Sequence, residues 1–101
     1  MTYITAKTQD GYLYIDKEQV KAIVALPDIR KVPHTDDSVL GVSVYDEKVV
    51  VYYPTGCRMP PLCGIILKDG RALAADEAGE EDADTQDLVS VLPGVWEKKI
   101  D

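Results

Sequence analysis

The sequence predicts an all-β protein, a small barrel or sandwich of short strands. Three observations carry that prediction. Apolar and polar residues alternate with a period of two in segment after segment, the mark of half-buried strands. Gly, Pro and Asp punctuate the chain at short intervals, as tight turns require. No long segment carries an apolar stripe at helical spacing. The one competitor is Lys17–Leu26, whose Lys, Glu, Gln and Ala are good helix formers. A helix there would make the protein α+β. The strand reading is preferred because Val20, Ala22 and Val24 alternate with their neighbours.

Taken in order, Thr2–Thr8 places Ile4 and Ala6 on one face and Thr5 and Lys7 on the other. Gln9-Asp10-Gly11 is a hairpin turn. Tyr12–Ile15 is the returning strand, with Leu13 and Ile15 inward, and Asp16-Lys17-Glu18 links it to the Val20–Val24 strand. Leu26–Asp37 is loop, containing Pro27, Pro33 and the polar run His34–Asp37. Val39–Tyr53 is the richest β-forming stretch. It reads as strands Leu40–Tyr45 and Val49–Tyr53, joined at Asp46-Glu47-Lys48. Leu40, Val42 and Val44 share a face, with Ser43 and Tyr45 on the other. Val49-Val50-Val51 is apolar on both faces, which suits a central strand or one that closes a barrel. Pro54-Thr55-Gly56 breaks the sheet, and Pro60-Pro61 stiffens the crossing that follows. Leu62–Lys68 and Ala72–Ala75 form a second hairpin about Asp69-Gly70, its return strand small enough for close packing. Asp76–Asp87 reads as a solvated acidic loop around a short strand end, Leu88–Leu92 as a last strand with Val89 and Val91 on one face, and Val95–Asp101 as a tail.

The length of 101 residues suits one domain. A domain of this size buries roughly two-thirds of its unfolded surface. With no Phe and one Trp, the core must come from Val, Ile, Leu and Tyr. The net charge of -7 is local. Seven acids and no base lie in Asp76–Asp87; the other 11 acids balance the 11 Lys and Arg. A neutral body with an acidic segment argues against nucleic acid or an anionic membrane as partner. No secretory signal or membrane-spanning run is present, so a cytoplasmic home is the default. Two cysteines, Cys57 and Cys63, do not make a disulfide scaffold.

Catalytic chemistry is nearly absent by elimination, although 18 acids leave a carboxylate pair for acid–base work open and nothing singles one out. The single histidine, His34, sits in a polar loop and reads as exposed, far in sequence from either thiol. His34, Cys57 and Cys63 fall one ligand short of structural zinc. The acidic run lacks the bend glycine and closing Glu of a calcium loop. The scattered glycines form no phosphate-binding loop. We expect no catalytic residue, no cofactor and no metal; a binding module is favoured over an enzyme.

Three stretches resemble the CheW-like domain of bacterial chemotaxis. Tyr3–Ile15 with Glu18–Ile23 resembles that family's opening hairpin and the strand after it. Ile29-Arg30-Lys31-Val32-Pro33 with Val39-Leu40-Gly41-Val42 resembles the approach to its central hairpin. Gly70–Glu77 resembles a strand of its second half, with Ala75 in place of Val. The similarity runs from about residue 3 to about residue 80. It implies two small, interlocked SH3/OB-like β-barrels in one domain over residues 1–101. The first would span about 15–60; the N-terminal hairpin and about 62–101 would form the second. It also implies a non-catalytic adaptor that couples chemoreceptors to the histidine kinase CheA. The partners would then be the kinase's regulatory domain and the receptor's cytoplasmic tip. The family's N-L-R-G turn is replaced by Val44-Tyr45-Asp46-Glu47, its following Asp by Pro54, and the crossover between barrels is short. The chain stops soon after Val95, so the second barrel is read as truncated or closed by another element, including a second copy.

On this resemblance Arg30, Val42, Val44, Tyr45 and Tyr52 form the protein-binding surface. Three alternatives stand beside it. One is a homo-oligomeric structural or regulatory protein, since a triple-valine strand left at an edge invites self-pairing. Another is a small-ligand-binding barrel, which requires an apolar cavity. An enzyme is the remaining rival and requires a strongly shifted carboxylate or thiol pKa in a cleft.

Overall fold

The computed structural model describes residues 1–33 and 38–98. The reading of His34–Asp37 as exposed loop, and the end of the tail, lie outside those residues. The strands are β1 (Thr2–Thr8), β2 (Gly11–Asp16), β3 (Val20–Ala25), β4 (Gly41–Tyr45) and β5 (Lys48–Tyr53). After them come β6 (Cys63–Leu67), β7 (Arg71–Ala75), β8 (Glu77–Asp82), β9 (Leu88–Leu92) and β10 (Val95–Lys98). They form two five-stranded sheets, in the orders β8-β1-β2-β10-β9 and β3-β6-β7-β5-β4. All neighbours are antiparallel except β5 and β7, which run parallel. The protein is all-β.

The helical alternative at Lys17–Leu26 shrinks to one 3-10 turn, Lys17–Gln19. Asp16 caps that turn by accepting the Glu18 N–H at 3.0 Å. Val20 then extends, because β3 pairs along β6 from Val20↔Leu67 to Ala25↔Cys63. Pairing with an existing strand outweighs the weak helix preference of Lys and Glu.

Four expectations change. The acidic stretch is mostly a strand: β8 pairs along β1, from Thr2↔Asp82 to Lys7↔Glu77. An edge strand needs only one backbone partner, so its carboxylates stay in water. Glu80 meets Lys17, and the Asp82 carboxylate accepts the Thr2 hydroxyl at 2.6 Å. The tail after Gly94 contains β10, which fills the gap between β2 and β9. The boundary expected near residue 62 does not separate the sheets. β6 and β7 belong with β3–β5, and the chain returns to the first sheet at Asp76, whose N–H donates to the Lys7 carbonyl at 2.8 Å. The crossing before β6 also bends at Met59–Pro60, whose peptide bond is cis, rather than running straight.

Packing forms three clusters. Val50, Tyr52, Ile66, Ala72 and Ala74 fill the inside of the second sheet's curl. Tyr3, Tyr14 and Leu88, with Trp96 against them, fill the corresponding side of the first. Ile4, Ala6, Ile15, Ile65, Leu67, Leu73, Ala75 and Val95 lie between the sheets. Burial on both faces explains why β7 is apolar from Ala72 to Ala75, after Arg71 at its start. The triple-valine strand β5 is interior, held between β7 and β4, so the self-pairing expected of a valine edge does not apply to it.

Candidate interaction surface

The central hairpin turns on two residues, Asp46 and Glu47, both at positive φ (51° and 63°). Positive φ at both central positions is the twist-matched turn of tight hairpins. The expectation of three turn residues is corrected by one. The register is therefore Tyr45↔Lys48, Val44↔Val49, Ser43↔Val50, Val42↔Val51 and Gly41↔Tyr52. One residue of slip decides which side chains share a face. Val50 and Tyr52 point into the curl, with Ser43 and Tyr45 on the same face. Val42, Val44, Val49 and Val51 point out.

These four valines continue the face that, farther along, packs on the first sheet through Tyr53 and Leu73. Beyond the reach of that sheet the face meets water. The cross-strand pair Val44 and Val49 is 69% and 65% exposed, which sets it apart from ordinary half-buried strand residues. Beside it runs the segment Asp28–Arg30. The Arg30 N–H donates to the Val42 carbonyl and the Val42 N–H to the Arg30 carbonyl, each at 2.8 Å. This approach is close enough that a Cβ on Gly41 would stand 2.6 Å from the Arg30 carbonyl oxygen. Arg30, Val42, Val44 and Val49 thus line one shallow groove with Asp28 and Ser43. The Arg30 guanidinium lies 3.6 Å from the Asp28 carboxylate, with both side chains about 80% exposed. An ion pair so exposed is held weakly and opens at little cost.

Of the five residues expected at a contact surface, the structure brings together Arg30, Val42 and Val44. Tyr45 lies on the other face at the seam between β3 and β4. There the Lys21 ammonium sits 5.8 Å from its ring centre and 3.9 Å from the Asp46 carboxylate. Tyr52 is buried, its hydroxyl lying over Gly64 where any Cβ would collide. Burial raises the Tyr52 pKa, and the Cys63 thiol adds to the shift. Sequence reasoning missed Val49 and Asp28. A two-residue turn, combined with the period of two, would have paired Val44 with Val49.

A small-ligand barrel would need open interior space, yet the curl of the second sheet is filled by Tyr52, Ile66 and the alanines of β7. Burial also pushes up the pKa of the Cys63 thiol, with Cys57, Asp76 and Glu77 adding to it, and Cys63 donates to the Ala75 carbonyl at 3.5 Å. A thiol held protonated is a poor nucleophile. Among the described residues no group of three or more His, Cys, Asp or Glu could hold a metal, and no helix is long and apolar enough to cross a membrane.

No family model matches the sequence, and a search of curated proteins returns no match. Among solved structures the chain is similar to the scaffolding protein TtCheW from Thermoanaerobacter tengcongensis. The TM-score is 0.70 at 16% identity, covering 86% of this chain and 68% of that one. The likeness shows the fold.

Proposed function

From this CheW-like fold we propose that the protein is a non-catalytic adaptor of chemotaxis-type signalling, working in the cytoplasm. It would join a chemoreceptor tip to the regulatory domain of a CheA-type histidine kinase. One observation carries the choice of surface: an exposed valine pair, Val44 and Val49, sits in a groove rimmed by the loosely held Arg30. An exposed apolar patch beside polar rim groups is the usual anatomy of a partner site. The hairpin supplies packing and orientation, and Arg30 supplies a charged hydrogen-bonding group for a carboxylate on the partner.

The test is titration calorimetry against the kinase regulatory domain from the same genome. Micromolar or tighter binding is expected. Val44→Asp should weaken it at least tenfold, about 1.4 kcal/mol, with the far-ultraviolet dichroism unchanged. Arg30→Ala should weaken it less. A folded protein that shows no heat of binding would end the kinase-coupling reading.

A further inference from the structure

The first sheet ends in two unlike edges. β8 carries Glu77, Glu80, Glu81 and Asp82, and charge at an edge deters a further strand. β9, at the far end, reads Leu88-Val89-Ser90-Val91-Leu92 and has no charge. It pairs with β10 on one side and with no strand on the other among the described residues. Val89, Val91 and Leu92 are 43%, 41% and 39% exposed. Val91 and Leu92 extend an apolar groove that includes Leu13, Leu73 and Val95. An uncharged apolar edge is a template for another strand.

The β9 sequence indicates which strand. It reads the same in both directions, so antiparallel pairing with itself sets like against like. We propose that β9 pairs antiparallel with β9 of a second copy, about a two-fold axis at Ser90. Val89 of each copy then lies opposite Val91 of the other, and Leu88 opposite Leu92, the self-complementary contact a two-fold dimer requires. The charge distribution favours this edge. Pairing through β8 would set carboxylates against carboxylates. Pairing through β9 leaves the two acidic edges at opposite ends of a ten-stranded sheet, roughly 40 Å apart at ~4.8 Å per strand. That is several Debye lengths at about 0.15 M salt. The valine groove belongs to the other sheet, so dimerisation and partner binding are separate properties.

The dimer is weak. A register shift at Val95/Trp96 makes Val91 an extra residue and bends the strand. A five-residue pairing also falls short of the ~1,200 Å² of a standard interface.

Two measurements test this. The first is sedimentation from about 10 µM to about 1 mM, the range over which mass action reveals weak dimers. The mass should rise from the 11.1 kDa monomer toward twice that value. Val91→Lys should hold it at the monomer with an unchanged β-sheet dichroism spectrum. The second is oxidative cross-linking. At the axis, Ser90→Cys places two Cα atoms ~4.5–5.5 Å apart, within disulfide reach. Val89→Cys places them on the ~7–8 Å diagonal, beyond it. Ser90→Cys should form covalent dimer well above both Val89→Cys and the wild type, which carry the same native thiols. A mass fixed at the monomer to the highest concentration would overturn the proposal. So would equal cross-linking by Ser90→Cys and Val89→Cys, which would place any dimer elsewhere.

Discussion

Two glycines show how single positions shape the hairpin. Gly41 is needed for space: a Cβ there would meet the Arg30 carbonyl oxygen at 2.6 Å and the Ile29 Cγ2 at 2.7 Å. The first obstacle is backbone, which cannot swing aside. Gly41→Ala should therefore destabilise the fold by about 1–3 kcal/mol, the usual cost of overpacking. It should also loosen the segment that carries Arg30. A chemical melt reads the first effect, and faster amide exchange at Arg30 and Val42 reads the second. A neutral substitution would mean that the Arg30–Val42 bridge is dispensable. Gly64 plays the matching role for Tyr52, whose ring lies where a side chain would stand. That packing, rather than partner contact, accounts for a tyrosine in the middle of β5.

At the level of the element, the β4–β5 turn is tight in shape and costly in sequence. Asp46 and Glu47 both hold positive φ without being glycine. The left-handed region costs an ordinary residue roughly 1–2 kcal/mol. Glu47→Gly should relieve part of that, offset by the greater backbone entropy of glycine, for a net gain of about 0.5–1 kcal/mol. A raised melting temperature with unchanged hairpin register would confirm it; a lowered one would show that the Glu47 side chain contributes something beyond the turn. β8 illustrates the reverse case. Its residues are poor strand formers, and tertiary pairing with β1 holds them extended nonetheless.

For the whole molecule, protonation couples the sheets to pH. Tyr14 and Tyr52 are held above their ordinary value of 10.0, chiefly by burial, Tyr14 also by donating to the Glu81 carboxylate at 2.9 Å. The Lys98 ammonium, beside Tyr14, is raised through that same hydroxyl. The folded protein thus keeps protons that the unfolded chain releases above about pH 10. Their contribution to stability is then fully present below that pH and falls as pH rises through the native values. Melting temperature should stay level in the neutral range, begin to fall above about pH 9 as the buried Cys63 thiol, also raised, adds its share, and drop further above about pH 10. Tyr52→Phe should shallow that drop, since Phe has no proton to lose. A profile equally steep in the variant would show that other groups dominate.

The sequence by itself determined the all-β class, nearly every strand, the Asp-Gly turn at Gly70 and the resemblance that places this chain beside CheW-like folds. Those features are local. They rest on the period of two in Ile4 and Ala6, in Val20, Ala22 and Val24, and on turn chemistry at fixed positions. The resemblance also pointed to Arg30, Val42 and Val44 together. What only the tertiary structure decided were the non-local pairings: β8 against β1, β10 between β2 and β9, and β5 in parallel with β7. Backbone hydrogen bonds between distant segments carry no side-chain signature, so an acidic strand and a four-residue strand in a tail read as loop. The same holds for faces. Tyr52 inside and Val49 outside follow from a turn of two residues rather than three, and composition does not distinguish those. The exposed β9 edge likewise became visible only when β10 took one of its sides and no strand among the described residues took the other.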